Sequence, residues 1–183
     1  MRLHRTIGGI FLYTPYIAIL VATLLVSGCG TVERKVALDD RYSVLPGTKV
    51  ELGPVSNETG IAFDIDIEKM LADALSQSLK TNNLQWTGGG APKLVLTTNI
   101  LGYAKGNAFE RWARFPGGVS SVGFGSTTLE IDGALYDSEN RKVGSATARR
   151  TVDFGGAFTI GAWETIFPSI ADDVVMKLAD KLK

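Results

Sequence analysis

The chain has 183 residues, with 19 basic side chains against 19 acidic, one histidine and one cysteine. This neutral balance offers no electrostatic case for nucleic acid as a partner, and a lone cysteine excludes a disulfide within the chain. Twenty-one glycines, many of them clustered, point to turns and loops instead of a long helical fold.

The first element is the N-terminal run. Met1 to Arg5 carries Arg2 and Arg5 and no acid, and Ile7 to Val26 is almost wholly apolar, broken chiefly at Thr14-Pro15. A charged start followed by an apolar stretch is the layout of an export signal. The stretch also approaches the roughly 20 residues that span a bilayer, so a retained membrane helix is the competing reading. Its ending decides between them. Val26-Ser27-Gly28-Cys29 resembles the lipobox of bacterial lipoproteins, in which an aliphatic and two small residues precede the acylated cysteine.

That resemblance implies cleavage between Gly28 and Cys29 and acylation of Cys29 by palmitate-type chains. Several chains anchor firmly, because each buried methylene contributes about 0.8 kcal/mol. Gly30 follows the cysteine where an aspartate would favour the inner membrane. The expected location is therefore the outer membrane, with the domain facing the periplasm. The expected division is a signal peptide over residues 1–28, a tether over 29–47 and one domain over 48–183. Loss of Arg2 and Arg5 leaves 17 basic against 19 acidic residues.

The tether assignment rests on the lack of a clear period between Thr31 and Gly47, although Val32, Val36, Leu38, Tyr42, Val44 and Leu45 could still dock on the domain. Thr48 to Leu52 reads as a short strand closed by Gly53-Pro54, with Val55 a candidate extension on the far side of the proline. Ile67, Met70, Leu71, Ala74, Leu75 and Leu79 make one apolar helical stripe, with Asp64, Asp66 and Glu68 at its start and Lys80 at its end, as the helix dipole favours. Gly88 to Pro92 breaks the chain. Lys93 to Tyr103 is a strand with Leu94, Leu96, Thr98 and Ile100 on one face. Ser126 to Asp137 is another, with Leu129, Ile131 and Leu135 opposite Glu130, Asp132 and Tyr136. A turn at Asp137 to Asn140 leads into a strand over Lys142 to Phe154. Pro168 and Ser169 mark the start of the last helix, whose stripe is Ile170, Ala171, Val174, Val175, Leu178 and Leu182.

The predicted order is β-α-β-β-β-α. Two helices with one apolar face each are best placed on one side of a sheet. The fold class is α+β, a two-layer sandwich with a mostly antiparallel sheet and both helices on one face. This order resembles a group of periplasmic lipoprotein domains that includes the TolB N-terminal domain, the lipoprotein activators of peptidoglycan synthases and the curli secretion lipoprotein. The likeness rests on the strand at Lys49 to Leu52, the helix through Met70 to Leu79, the strand at Leu94 to Leu101, the hairpin at Asp137 to Asn140 and the closing helix. It implies a binding or assembly role at the cell envelope.

The inventory speaks against an enzyme. His4 lies in the leader and Cys29 is expected to carry lipid, which removes Ser-His and Cys-His arrangements and the usual zinc ligand sets. No metal and no cofactor is expected. Asp64, Asp66 and Glu68 are loosely calcium-like in spacing but lack the glycine and distant glutamate of an EF-hand, so they read as helix-start acids. Glu130 and Asp132 read as a solvated strand face. Gly88-Gly89-Gly90 lacks a phosphate-binding context and reads as a turn.

Two stretches are candidates for contact. Tyr103 to Gly125 holds Phe109, Arg111, Trp112, Arg114 and Phe115, and aromatics with arginines in a loop are typical interface anchors. The alternative is an ordered hairpin with Trp112 and Phe115 packed on the core. Phe154 to Phe167, with Phe158 and Trp163, reads as a hydrophobic lid between strand and helix. The expected function is a non-enzymatic lipoprotein that binds another envelope component. The alternative is a subunit of an oligomeric outer-membrane export channel. Expected partners are the bilayer through acylated Cys29, an envelope protein and, for a channel, further copies of the chain.

Overall fold

The computed structural model describes residues 31–90, 92–104, 127–152 and 162–182. Seven elements follow one another: β1 (Val32–Leu38), β2 (Lys49–Asn57), α1 (Ile67–Thr81), β3 (Lys93–Ala104), β4 (Thr127–Tyr136), β5 (Lys142–Val152) and α2 (Ala162–Lys181). The strands form one five-stranded sheet in the order β1-β5-β4-β3-β2. Among the described residues only the β2–β3 pair of strands is parallel, and α1 supplies the crossover that a parallel pair requires. From Lys49 onward the order is the expected β-α-β-β-β-α, and the class is α+β with a mostly antiparallel sheet.

The first correction is β1. Val32 to Leu38, expected within a tether, pairs along its length with β5, from Val32 opposite Arg150 to Leu38 opposite Gly144. Its alternation is masked because Arg34 stands where an apolar residue would have completed Val32, Val36 and Leu38. Gly144 makes the pairing fit. A Cβ there would lie 2.6 Å from the Ala37 carbonyl oxygen.

The second correction is β2, which does not close at Gly53-Pro54. It continues to Asn57 through a register irregularity between Leu52 and Val55. A proline is tolerated there because β2 is an edge strand and loses no ladder bond on its outer side. The third is α2, which starts at Ala162 and carries Pro168 inside it. Ile166 and Phe167 are fully buried, so burial of that early turn outweighs the backbone bond lost at the proline.

The core lies between the sheet and the two helices. Leu94, Leu96, Thr98 and Ile100 of β3 point into it, as do Leu129, Ile131 and Leu135 of β4 and Ala146 and Ala148 of β5. Helix α1 buries Ile67, Leu71, Leu75 and Leu79 along the expected stripe. Asp66 caps it by accepting a bond from the Lys69 amide at 2.8 Å, and Asn83, at φ 54°, ends it. The helices are also linked directly. Ser78 donates to Asp172 at 2.5 Å. The opposite sheet face carries Glu33, Lys35, Glu130, Asp132, Thr147 and Arg149 around a shallow concavity of about 400 Å³.

A candidate binding end of the sheet

Register decides what sits together. Val32 lies opposite Arg150, Thr127 opposite Val152 and Ala104 opposite Thr128. The start of β1, the end of β3, the start of β4 and the end of β5 therefore share one end of the sheet, the near end. The chain leaves β3 here into residues 105–126, and leaves β5 here into residues 153–161. Thr31 is part of this end as well, since its carbonyl accepts from the Thr151 amide at 3.0 Å.

Beneath the near end, two strands are tied to α2. Arg34 and Arg150 lie on the core face, on neighbouring strands, and both pair with Asp173. Arg34 contacts one carboxylate oxygen, and Arg150 contacts the other at 2.5 Å. The Asp173 side chain is only 9 % exposed, against 36 % for Arg34 and 27 % for Arg150. A buried carboxylate needs such partners, because an unpaired charge out of water is costly. The two guanidiniums leave the cluster with a surplus positive charge, and the Arg150 Nε–H is buried without an acceptor among the described residues.

An aromatic group lies two strands away, since Tyr103 is opposite Leu129 and Leu129 is opposite Arg150. Tyr103, one residue before the end of β3, meets Phe63 edge-on at 5.2 Å and Phe167 at 5.5 Å between ring centroids. Burial, with a smaller push from Asp64, raises the Tyr103 phenol to about 12. A register irregularity between Ile100 and Gly102 turns Tyr103 to the core side and leaves Leu101 exposed. On the sheet's far face, Arg149 stands 3.9 Å from Glu130, and the Thr128 and Thr151 hydroxyls share a 3.1 Å hydrogen bond.

The residues singled out from the sequence divide as follows. Cys29, Phe109, Arg111, Trp112, Arg114 and Phe115 lie outside the described residues, as do Phe154, Phe158 and the Trp163 side chain. Phe167 is a core residue. Asp66 is the cap of α1, as helix-start acids are expected to be, and Glu130 and Asp132 lie half-buried on the open sheet face. Among the described residues no three His, Cys, Asp or Glu side chains gather where an ion could be held. The Arg34–Asp173–Arg150 group escaped sequence reading. Its signal was the Val-x-Arg-x-Val-x-Leu alternation from Val32 to Leu38, in which an arginine occupies a core-facing place.

No family model matches the sequence, and no curated protein matches it. Solved structures do. The PelC dodecamer from Paraburkholderia phytofirmans is 17% identical, over 82% of this chain and 98% of that one, with a TM-score of 0.54. A single-substitution variant of the same PelC dodecamer is 19% identical over the same shares, with a TM-score of 0.51. A minor lipoprotein from Acinetobacter baumannii is 12% identical over 73% of this chain and 91% of that one, at a TM-score of 0.38. At such identities the PelC likeness establishes a shared fold and nothing further.

Proposed function

We propose that the chain is a lipid-anchored protein of the outer membrane, facing the periplasm, that binds another envelope protein and catalyses no reaction. The observation that carries this reading is the layout of the near end. Cys29 stands three residues before Val32, so at full stretch about 10 Å of chain separates the acylated residue from the sheet. Both aromatic, glycine-rich stretches are attached to that same end. A partner held by Phe109, Arg111, Trp112, Arg114 and Phe115 would thus be held beside the anchor. The order of strands also removes the spacer that a tether over 29–47 would have provided.

The test is a pair of changes, Trp112→Ala with Phe115→Ala. Circular dichroism of the double variant matches the parent, while a partner recovered by crosslinking in intact cells is lost. Collapse of the fold in circular dichroism instead places both side chains in the core. A second reading draws on the fold shared with a dodecameric protein: a subunit of an oligomeric outer-membrane export channel. Particle size in detergent separates the two, since a channel subunit forms a large ring.

A further inference from the structure

The two edges of the sheet are built differently. At the β2 edge, Pro54 has no N–H to offer, and the strand is irregular between Leu52 and Val55. Residues 84–86 cover it at Val50, whose amide donates to Leu84 at 2.7 Å and whose carbonyl accepts from Trp86 at 2.8 Å. These are the devices by which natural sheets prevent edge pairing. The β1 edge lacks these three, and its guard is charge alone, in Glu33, Arg34 and Lys35. It is a regular seven-residue strand without proline, and Val32 to Lys35 are all exposed. Among the described residues no strand pairs with its outer side.

Hydrogen-bond phase shows which groups face outward. The Thr31 carbonyl and the Asp39 amide both bond to β5. Because bonding direction alternates along an antiparallel strand, Glu33, Lys35 and Ala37 also bond inward. The N–H and C=O groups of Val32, Arg34, Val36 and Leu38 point away from the sheet. An added antiparallel strand must pair with those.

We propose that this edge pairs with the β1 edge of a second copy, antiparallel and centred on Arg34, joining two sheets into one. The choice of register comes from charge. Centring on Arg34 sets Glu33 of each copy opposite Lys35 of the other and Val32 opposite Val36. Centring on Glu33 opposes two glutamates, centring on Lys35 opposes two lysines, and centring on Val36 opposes Glu33 to Asp39. Centring on Ala37 sets Lys35 opposite Asp39, but it leaves only Val36 to Leu38 overlapping within the strand; of the registers that overlap across Val32 to Val36, the Arg34 register alone gives two unlike-charge cross-strand pairs, which stabilise an antiparallel contact. The two Arg34 side chains meet at the centre, a like-charge contact that the Asp173 of each copy, shared with Arg150, offsets only in part. The contact is two-fold and closes on itself. A ring built by edges would need β1 on β2, which Pro54 and residues 84–86 obstruct.

The test uses the full chain in detergent, with excess micelles, measured by sedimentation. The parent forms a two-copy species. Glu33→Lys alone and Lys35→Glu alone each oppose like charges twice and raise the dissociation constant roughly tenfold. An equimolar mixture of the two variants restores pairing, because each lysine then faces a glutamate. One-copy parent protein, single variants that associate like the parent, or a mixture that stays apart would overturn the proposal. So would slow hydrogen exchange at the Arg34 and Val36 amides in one-copy protein, since another segment of the chain would then occupy the edge.

Discussion

The two ends of the sheet are closed by different means. At the far end the chain is turned tightly and bonded to itself. Asp137 accepts from the amides of Glu139 and Arg141, both at 2.9 Å, and from the Arg141 side chain at 2.8 Å. Asn140 takes the left-handed conformation the turn needs, at φ 61°. Nearby, Lys93 bonds Glu51 at 2.6 Å and lies 4.4 Å from the centre of the Trp86 ring. At the near end the interactions lie lower, in the Arg34–Asp173–Arg150 group and the Tyr103 cluster, and the strands run on into aromatic and glycine-rich sequence. One end finishes the fold; the other supports whatever the chain carries next to its proposed anchor.

The largest effect expected is at Cys29. In the proposed reading Cys29→Ser removes the anchor, and the protein moves from the membrane fraction to the soluble one; retention in the membrane fraction would turn attention to an uncleaved helix. Next is Asp173→Ala, which leaves two arginines facing each other on the core side. A fully buried pair broken in this way costs roughly 3–5 kcal/mol, but the arginines here are partly exposed and screened, so about 2 kcal/mol is expected. Urea unfolding measures it. An unchanged midpoint would mean the near end does not depend on the ion pairs.

A smaller effect is expected at the far end. The Arg141 amide, opposed by burial and aided by the Arg141 side chain and the Glu139 amide, holds the Asp137 carboxyl below its ordinary value of 3.8. Its folded state is depressed, so its contribution is fully present above that ordinary value and is lost as acid takes pH down through the folded value. Asp137→Asn therefore lowers the urea midpoint at neutral pH, and the gap to the parent narrows in acid. A gap independent of pH would show that shape, not charge, matters at the turn. The smallest effect is spectroscopic. Of five tyrosines, Tyr103 should ionise late, near the value of about 12 that its burial sets. Its neutral form is the one the fold favours, so that contribution holds below the ordinary phenol value of about 10 and fades above it. Ultraviolet titration of parent and Tyr103→Phe protein compares them.

Where side-chain period and backbone agreed, the fold was legible in the sequence. The α1 stripe and the inward faces of β3 and β4 follow directly from spacing, because apolar residues fill nearly every core-facing place. β1 was not legible for the opposite reason. Its core-facing Arg34 is made acceptable by Asp173, a residue 139 positions later, and no local pattern announces such a partner. β2 and α2 were cut short because each proline was read as an element boundary, Pro54 as the close of the strand and Pro168 as the start of the helix. An edge position excused Pro54, and burial of Ile166 and Phe167 compensated for Pro168. The near end was partly legible: its aromatics and the cysteine stand out, but only strand register shows that they are attached to one place.

Crosslinking from chosen positions in living cells tests the central claim most directly. A photoreactive amino acid is placed at Phe115, on the near-end stretch, and in a second variant at Asn140, in the far-end turn. A binding module carried beside its anchor yields an adduct with one envelope protein from position 115 and none from position 140. Adducts from position 140 alone, or equal capture of the same protein from both, would contradict it.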